Sequence, residues 1–174
     1  MRERTVILYT FSKKYAMTGW RIGAAIGPME LIGAITKFNV NDESCTNHFV
    51  QHAALEALTG PQDACTEMLA TLKERRDRAV EILNSISGIR CYSPNATFYL
   101  YPNVTEAMKI KKLEDYEDFR RGVLEHTGVS FCSRLHFGTP LESETQRYVR
   151  IAYSGIDVDR IIEGLGRLKE FIEG

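Results

Sequence analysis

The segment TFSKKYAMTGWRIG, residues 10–23, follows directly on the run TVILY at residues 5–9. Thr5 to Phe11 is rich in β-branched and aromatic residues, which predicts a buried strand. An amine at the end of such a strand, here Lys13, costs solvation free energy unless another group answers it. That environment is useful to a nucleophile, because a lysine with a depressed pKa attacks a carbonyl and forms a Schiff base. Thr10 and Ser12 flank it with hydroxyl donors, and Arg21, eight residues further on, offers a planar fork suited to phosphate. Gly19 and Gly23 allow tight backbone beside a bulky ligand. The same residues also fit a solvated surface loop, since charged loop side chains mostly face water.

A set made of an amine, hydroxyls and a guanidinium asks for a carbonyl compound that carries a phosphate. Pyridoxal phosphate has that chemistry. Bulk properties narrow the alternatives. The chain has 174 residues, of which 44% are hydrophobic and 26% charged, a globular rather than disordered composition. Its formal net charge is −1 with both signs mixed along the chain, so neither nucleic acid nor a membrane surface is an expected partner. No apolar stretch nears spanning length, and the basic start MRERTVILYTFSKK has too short an apolar centre for a secretory signal. Cys45, Cys65, Cys91 and Cys132 are widely spread and form no CxxC pair. They read as free thiols in a reducing compartment, which gives a cytoplasmic location as the expectation.

Outward from the lysine segment, Arg21 to Ile26 reads as a second strand stopped by Gly27-Pro28, and MELIGAITKFN as a helix. SCTNHFVQHAALEALTG reads as another helix, capped by Ser44 or Thr46, with Phe49, Ala53, Leu55 and Leu58 as apolar positions and Gly60-Pro61 as its end. QDACTEMLATLKERRDRAVEILNSI follows, with Met68, Leu72, Ala79, Ile82, Leu83 and Ile86 at helical spacing. At 1.5 Å per residue it would span roughly 35–40 Å, long enough to link two lobes. Beyond Gly88 come a strand around Thr97–Tyr101, a helix in EDYEDFRRGVLEHTG closed by Gly128, strands in VSFC and RYVRIAYSG, and a final helix capped by Asp157. The expected division is residues 1–60, a connecting helix at 61–88, and a small domain at 89–174.

The wording of the lysine segment is more specific than its composition. TFSKKYAMTGWRIG resembles the lysine segment of class I and II aminotransferases, the fold-type-I pyridoxal-phosphate enzymes. The matching positions are Thr10, Phe11, Ser12, Lys13, Ala16, Gly19 and Arg21. QHAALEAL, ERRDRAVEILNSISGIRCYSPNATFYLYPNV, TGVSFCSRLHFG and RYVRIAYSGIDVDRIIEGLGRLKEFI are similar to later blocks of that family, in the same order. The resemblance implies an α/β fold: part of the large-domain sheet, a long connecting helix, and a small α/β domain with a mostly antiparallel sheet. It implies that Lys13 condenses with the cofactor aldehyde and shuttles the substrate proton, that Thr10, Ser12 and Arg21 bind the cofactor phosphate, and that Arg150 clamps the substrate α-carboxylate. The substrates implied are an amino acid and a 2-oxo acid, and the assembly a homodimer. Lys14 falls at a variable position.

Some positions depart from the family pattern. Ser133-Arg134 stands where Pro-Gly is usual, His136 precedes Phe137, and Ala96 replaces a glycine. Arg134 is a candidate for the distal acid of a dicarboxylate, with a surface role as the alternative. The family lysine lies well past mid-chain, whereas here it is residue 13. The expectation is therefore a C-terminal portion of a longer enzyme, catalytically incompetent alone, exposing the strand Thr5–Phe11 and self-associating through residues 1–60. Competing readings are an isolated non-catalytic domain, an aminotransferase-like sensor domain, and a related lyase or synthase. Cys45, His48 and His52 have a metal-like spacing, but structural zinc takes four ligands, and no metal site is expected. His126 reads as structural at a helix end, and Phe98, Tyr99 and Tyr101 read as core rather than a stacking platform.

Overall fold

The structure, a computed structural model, describes residues 1–174. The chain divides into two compact units, Met1–Met68 and Leu69–Gly174, with the division inside a continuous helix.

The first unit is built on an antiparallel hairpin. Strand β1 (Ile7–Thr10) pairs with β2 (Gly23–Ile26), from Ile7 opposite Ile26 to Thr10 opposite Gly23. The strand is thus shorter than the expected Thr5–Phe11, and it is exposed, as expected of part of a larger sheet: Ile7 is 57% and Leu8 80% exposed. A β-branched run makes a strand, but burial requires a layer on each face, and this unit supplies little on either. β2 starts two residues later than expected because Arg21 adopts the left-handed conformation, φ 49 and ψ 54, which no strand residue can hold. Gly23 is needed where it stands, since a Cβ there would sit 2.8 Å from the Tyr9 carbonyl oxygen of the paired strand.

Helices α1 (Met29–Asp42) and α2 (His48–Thr59) follow. Pro28 precedes the first turn of α1, yet no residue of α1 is buried. α2 is capped by Asn47, whose side chain accepts from the Phe49 N–H, rather than by Ser44 or Thr46. Its inward face also differs from expectation. Val50 and Ala54 are buried, whereas Phe49, Leu55 and Leu58 are exposed. The small face Ala53, Ala54 and Ala57 packs with Phe11, Met17, Tyr9, Tyr15 and Ile22, so α2 lies close against the segment that leaves β1.

Helix α3 (Asp63–Asn84) runs for about 33 Å at 1.5 Å per residue. Its later turns enter the core of the second unit through Ala79 and Leu83, continued by Ile86 in the following turn. A three-stranded antiparallel sheet has the order β3 (Tyr99–Leu100), β5 (Val149–Ala152), β4 (Cys132–Ser133). Tyr99 faces Ala152, and Cys132 faces Arg150. α4 (Thr105–Ile110), too short to announce itself by periodicity, begins after Asn103, whose side chain accepts from the Thr105 N–H.

α5 (Tyr116–Thr127) is capped by Asp115, which accepts from the N–H groups of Glu117 and Asp118, and closed by Gly128 at φ 73. α6 (Val158–Glu173) is capped by Asp157 and buries Ile161, Leu165, Leu168 and Ile172 at helical spacing. Together α5 and α6 cover the sheet around Leu100, Phe119, Val123 and Val149, all nearly inaccessible to water. This α/β unit with its antiparallel sheet is the fold that the sequence led us to expect for the small domain.

Candidate functional site

In the first unit the site residues leave the hairpin end together. Thr10 is the last residue of β1, and Ser12 and Lys13 lie in the turn that follows. The Thr10 hydroxyl donates to Ser12 Oγ at 3.1 Å, and the Ser12 N–H donates back to Thr10 Oγ1 at 3.2 Å. That arrangement leaves the Ser12 hydroxyl proton for an acceptor outside the pair. The Phe11 N–H reaches the Ile22 carbonyl at 3.5 Å, so the hairpin pairing continues weakly one residue beyond Thr10–Gly23.

Ala16 and Arg21 bracket the connecting turns at φ 54 and 49, a conformation few non-glycine residues adopt and one that clusters at ligand sites. Arg21 Nη1 donates to the Thr18 carbonyl at 2.9 Å, and no carboxylate of the chain pairs with this guanidinium. Below the turn, Phe11 and Met17 are buried and fix its position. Lys14, which looked incidental in the sequence, supports the segment from its outer side. Its ammonium lies 4.8 Å from the Tyr15 ring centroid. Its hydrogen bond with the Tyr15 phenol raises the lysine and lowers the phenol, which also bonds Tyr9.

The second unit holds Arg150 on the central strand β5. The side chain is half-buried and makes no ion pair. Its guanidinium carbon lies 4.3 Å from the Tyr99 ring centroid and 4.5 Å from that of Phe137. Nη2 donates to Cys132 Sγ at 3.6 Å, a weak bond to a soft acceptor. Tyr99 is therefore not a plain core residue. Of the three aromatics read as core, Phe98 packs on the hydrophobic cluster, while Tyr101 is 45% exposed and stacks on Tyr148.

The neighbouring Arg134 has a different fate. Its Nε lies 2.9 Å from Glu144 Oε1, and its Nη2 donates to Oε2 at 3.1 Å. Nη1 donates to the Gly138 carbonyl. Glu144 already occupies the Nε–Nη2 edge of Arg134, so that edge is not available to the distal acid of a substrate. Ser133, fully buried, donates to Glu117 Oε1 at 3.1 Å and meets His136 Nδ1 at 3.0 Å. Glu117 also takes a bond from Arg120, which, followed by the Ser133 bond, holds its carboxyl below the usual range. The bonds from Ser133 to Glu117 and from Arg134 to Glu144 were not visible as a motif, because they span 16 and 10 residues.

His48 and His52 meet edge to face at 4.9 Å between ring centroids, and no group of three His, Cys, Asp or Glu residues is arranged to hold a metal ion. His126, in the last turn of α5, bonds the Gly122 carbonyl through Nδ1. No helix is long and apolar enough to cross a membrane.

The geometry can be set beside known proteins. A family model described as aminotransferase class I and II matches residues 1–168. The asparagine–oxo-acid transaminase of Streptococcus mutans is 34% identical over 171 residues, covering 98% of this chain. The aspartate aminotransferase of Bacillus subtilis is 32% identical over 173 residues, 99% of this chain. The chain spans 42% of the length of each of these two relatives. The crystal structure of the aspartate aminotransferase from Rhizobium meliloti superposes with a TM-score of 0.86 at 32% identity, over 99% of this chain and 42% of that one.

Proposed function

This chain belongs to the class I and II aminotransferase family, and on that premise we propose that it carries the lysine segment and the carboxylate-binding arginine of a pyridoxal-phosphate-dependent aminotransferase. The reaction proposed moves an amino group from an amino acid to a 2-oxo acid. The names of the relatives, asparagine–oxo-acid transaminase and aspartate aminotransferase, favour a small polar amino donor. Homodimerisation and a cytoplasmic setting belong to the same proposal and rest on the family resemblance.

The observation that carries the reading is the donor set beside Lys13. Two hydroxyls bonded to each other, with one proton to give, and a guanidinium that no carboxylate neutralises suit a phosphate. That set fits the phosphate end of pyridoxal phosphate, and an amine in the same turn fits its aldehyde. When bound, the cofactor supplies an aldehyde that condenses with amines and a ring that accepts an electron pair.

The protein's part is positional and acid–base. Arg21 and the Ser12 hydroxyl hold the phosphate. The left-handed backbone at Arg21, pinned by the Thr18 carbonyl, sets where that charge stands. Lys13 Nζ would hold the cofactor by its aldehyde and, as a free amine, would take up the proton that leaves the substrate α-carbon. Arg150 binds the α-carboxylate through N–H groups that no acidic side chain of the protein engages.

Lys13 tests the reading directly. The chain is mixed with pyridoxal phosphate, reduced with borohydride and mapped by peptide mass. The expected result is the pyridoxyl mass on the peptide holding Lys13 and its disappearance in Lys13→Ala. A label spread over other lysines, or retained in the variant, overturns the assignment.

A further inference from the structure

Resting on the reading of Arg150 as the carboxylate clamp, we propose that Tyr99 and Phe137 are positioning residues that hold this guanidinium in place while leaving its hydrogen-bond donors unpaired with any acid. The sheet register brings the first ring to it. Tyr99 on β3 faces Ala152 on β5. Arg150 lies two residues from Ala152 along the same strand, hence on the same face. Diagonal neighbours of this kind stand about 7–8 Å apart, within reach of a long side chain. The alanine between them takes little space, and the guanidinium carbon reaches 4.3 Å from the Tyr99 centroid.

The second ring comes from the short 3-10 turn Arg134–Phe137 that follows β4. This turn is fastened at both ends of its polar side. Ser133, immediately before it, is buried and bonded to Glu117 and to His136 within the turn. Arg134 at its start is locked to Glu144 and to the Gly138 carbonyl just beyond its end. Phe137 is thereby set 4.5 Å from the Arg150 carbon although it is 44% exposed itself.

The two arginines show why rings serve here. A ring face attracts a cation through its quadrupole and accepts no conventional hydrogen bond from it. A carboxylate would fix the guanidinium at least as firmly, but it would occupy the fork, as Glu144 does at Arg134. At Arg150 one donor meets a thiol sulfur at 3.6 Å and the rest are unengaged by any acid. The rings therefore lower the ordering cost of binding without competing with the ligand. Ordering one long side chain costs about 0.5–1.5 kcal/mol, so losing either ring should weaken carboxylate binding about two- to twelvefold.

The test uses the 174-residue chain with pyruvate as the probe. The Arg150 guanidinium signals are assigned in a nitrogen–proton NMR spectrum by their absence from Arg150→Lys. They are expected to be displaced by ring currents, and pyruvate should perturb them. Phe137→Leu and Tyr99→Leu should reduce that displacement and raise the pyruvate Kd by the stated factor. Phe137→Tyr and Tyr99→Phe, which keep the rings, should retain both properties. A pyruvate Kd that is unchanged in both leucine variants and abolished only by Arg150→Ala overturns the positioning role and leaves the clamp intact. A ring-shifted Arg150 signal that pyruvate never perturbs overturns the clamp and the positioning role together.

Discussion

Gly88 and Gly128 provide a controlled measurement of what packing contributes in the second unit. Both follow a helix in the left-handed conformation, at φ 77 and 73. An alanine at either position meets the same backbone penalty, about 1 kcal/mol or a little more. Both substitutions also reduce the freedom of the unfolded chain by the same amount, so that effect cancels between them. The space differs. A Cβ on Gly128 would meet only the far end of the Arg167 side chain, at 3.8 Å. A Cβ on Gly88 would lie 2.5 Å from Ala107 N, 2.8 Å from Glu106 C and 3.0 Å from Ala107 Cα, all backbone of α4. No rotamer change relieves that overlap. Moving α4 away would also strain the bond from the Ala107 N–H to the Gly88 carbonyl, now 3.1 Å. Overpacking of this kind costs about 1–3 kcal/mol. Gly128→Ala should therefore lose about 1 kcal/mol and Gly88→Ala about 2–4 kcal/mol. Urea unfolding followed by far-ultraviolet circular dichroism reads both, and for a typical slope the Gly88→Ala midpoint should fall by about 1–2 M. If Gly88→Ala proved no less stable than Gly128→Ala, the contact between this turn and α4 would not be what fixes the residue.

Two further outcomes follow from the chemistry of single groups. Burial pushes the Cys91 thiol up to about 11, whereas Cys45 is exposed. A disulfide reagent at mildly alkaline pH should modify Cys45 rapidly and Cys91 only as the second unit unfolds, read by peptide mass; prompt labelling of Cys91 in the folded protein would contradict its placement. Glu117 has its carboxyl lowered by the bonds from Arg120 and Ser133. A depressed carboxyl contributes stability above its unfolded value of about 4.3 and loses it as pH falls through its folded value. The stability gap between the wild type and Glu117→Gln, measured by urea unfolding, should shrink from neutral pH to about pH 3; a constant gap would refute it.

Local signals were legible wherever one residue decides a geometry. Asp157 and Gly128 bound their helices as expected, because a cap and a left-handed stop act within one turn. Three capping residues within four positions, Ser44, Thr46 and Asn47, compete on nearly equal terms, and the sequence does not say that Asn47 wins. Burial was the harder property. TVILY reads as a core strand by composition alone, and the exposure of Leu8 follows from what packs on β1, which the strand's own residues do not encode. In α2 the large residues of the periodic pattern point outward, and the alanine face is inside, because the aromatic cluster under the lysine turn fills the space. The site residues were found through the wording of one motif. Their neighbours Tyr99, Phe137 and Glu144 were not, since each reaches its arginine across a sheet or a loop.

The middle strand of the three-stranded sheet is also the last to be synthesised. β3 and β4 bond only to β5 and not to each other, so neither has an edge to pair with until residues 149–152 leave the ribosome. The α6 side chains that close the same core emerge later still. Vectorial synthesis therefore gives this half of the molecule no stable partial sheet, and its apolar positions from Ala79 onward wait unsatisfied on the nascent chain. A translational pause placed before β5 would prolong that exposure.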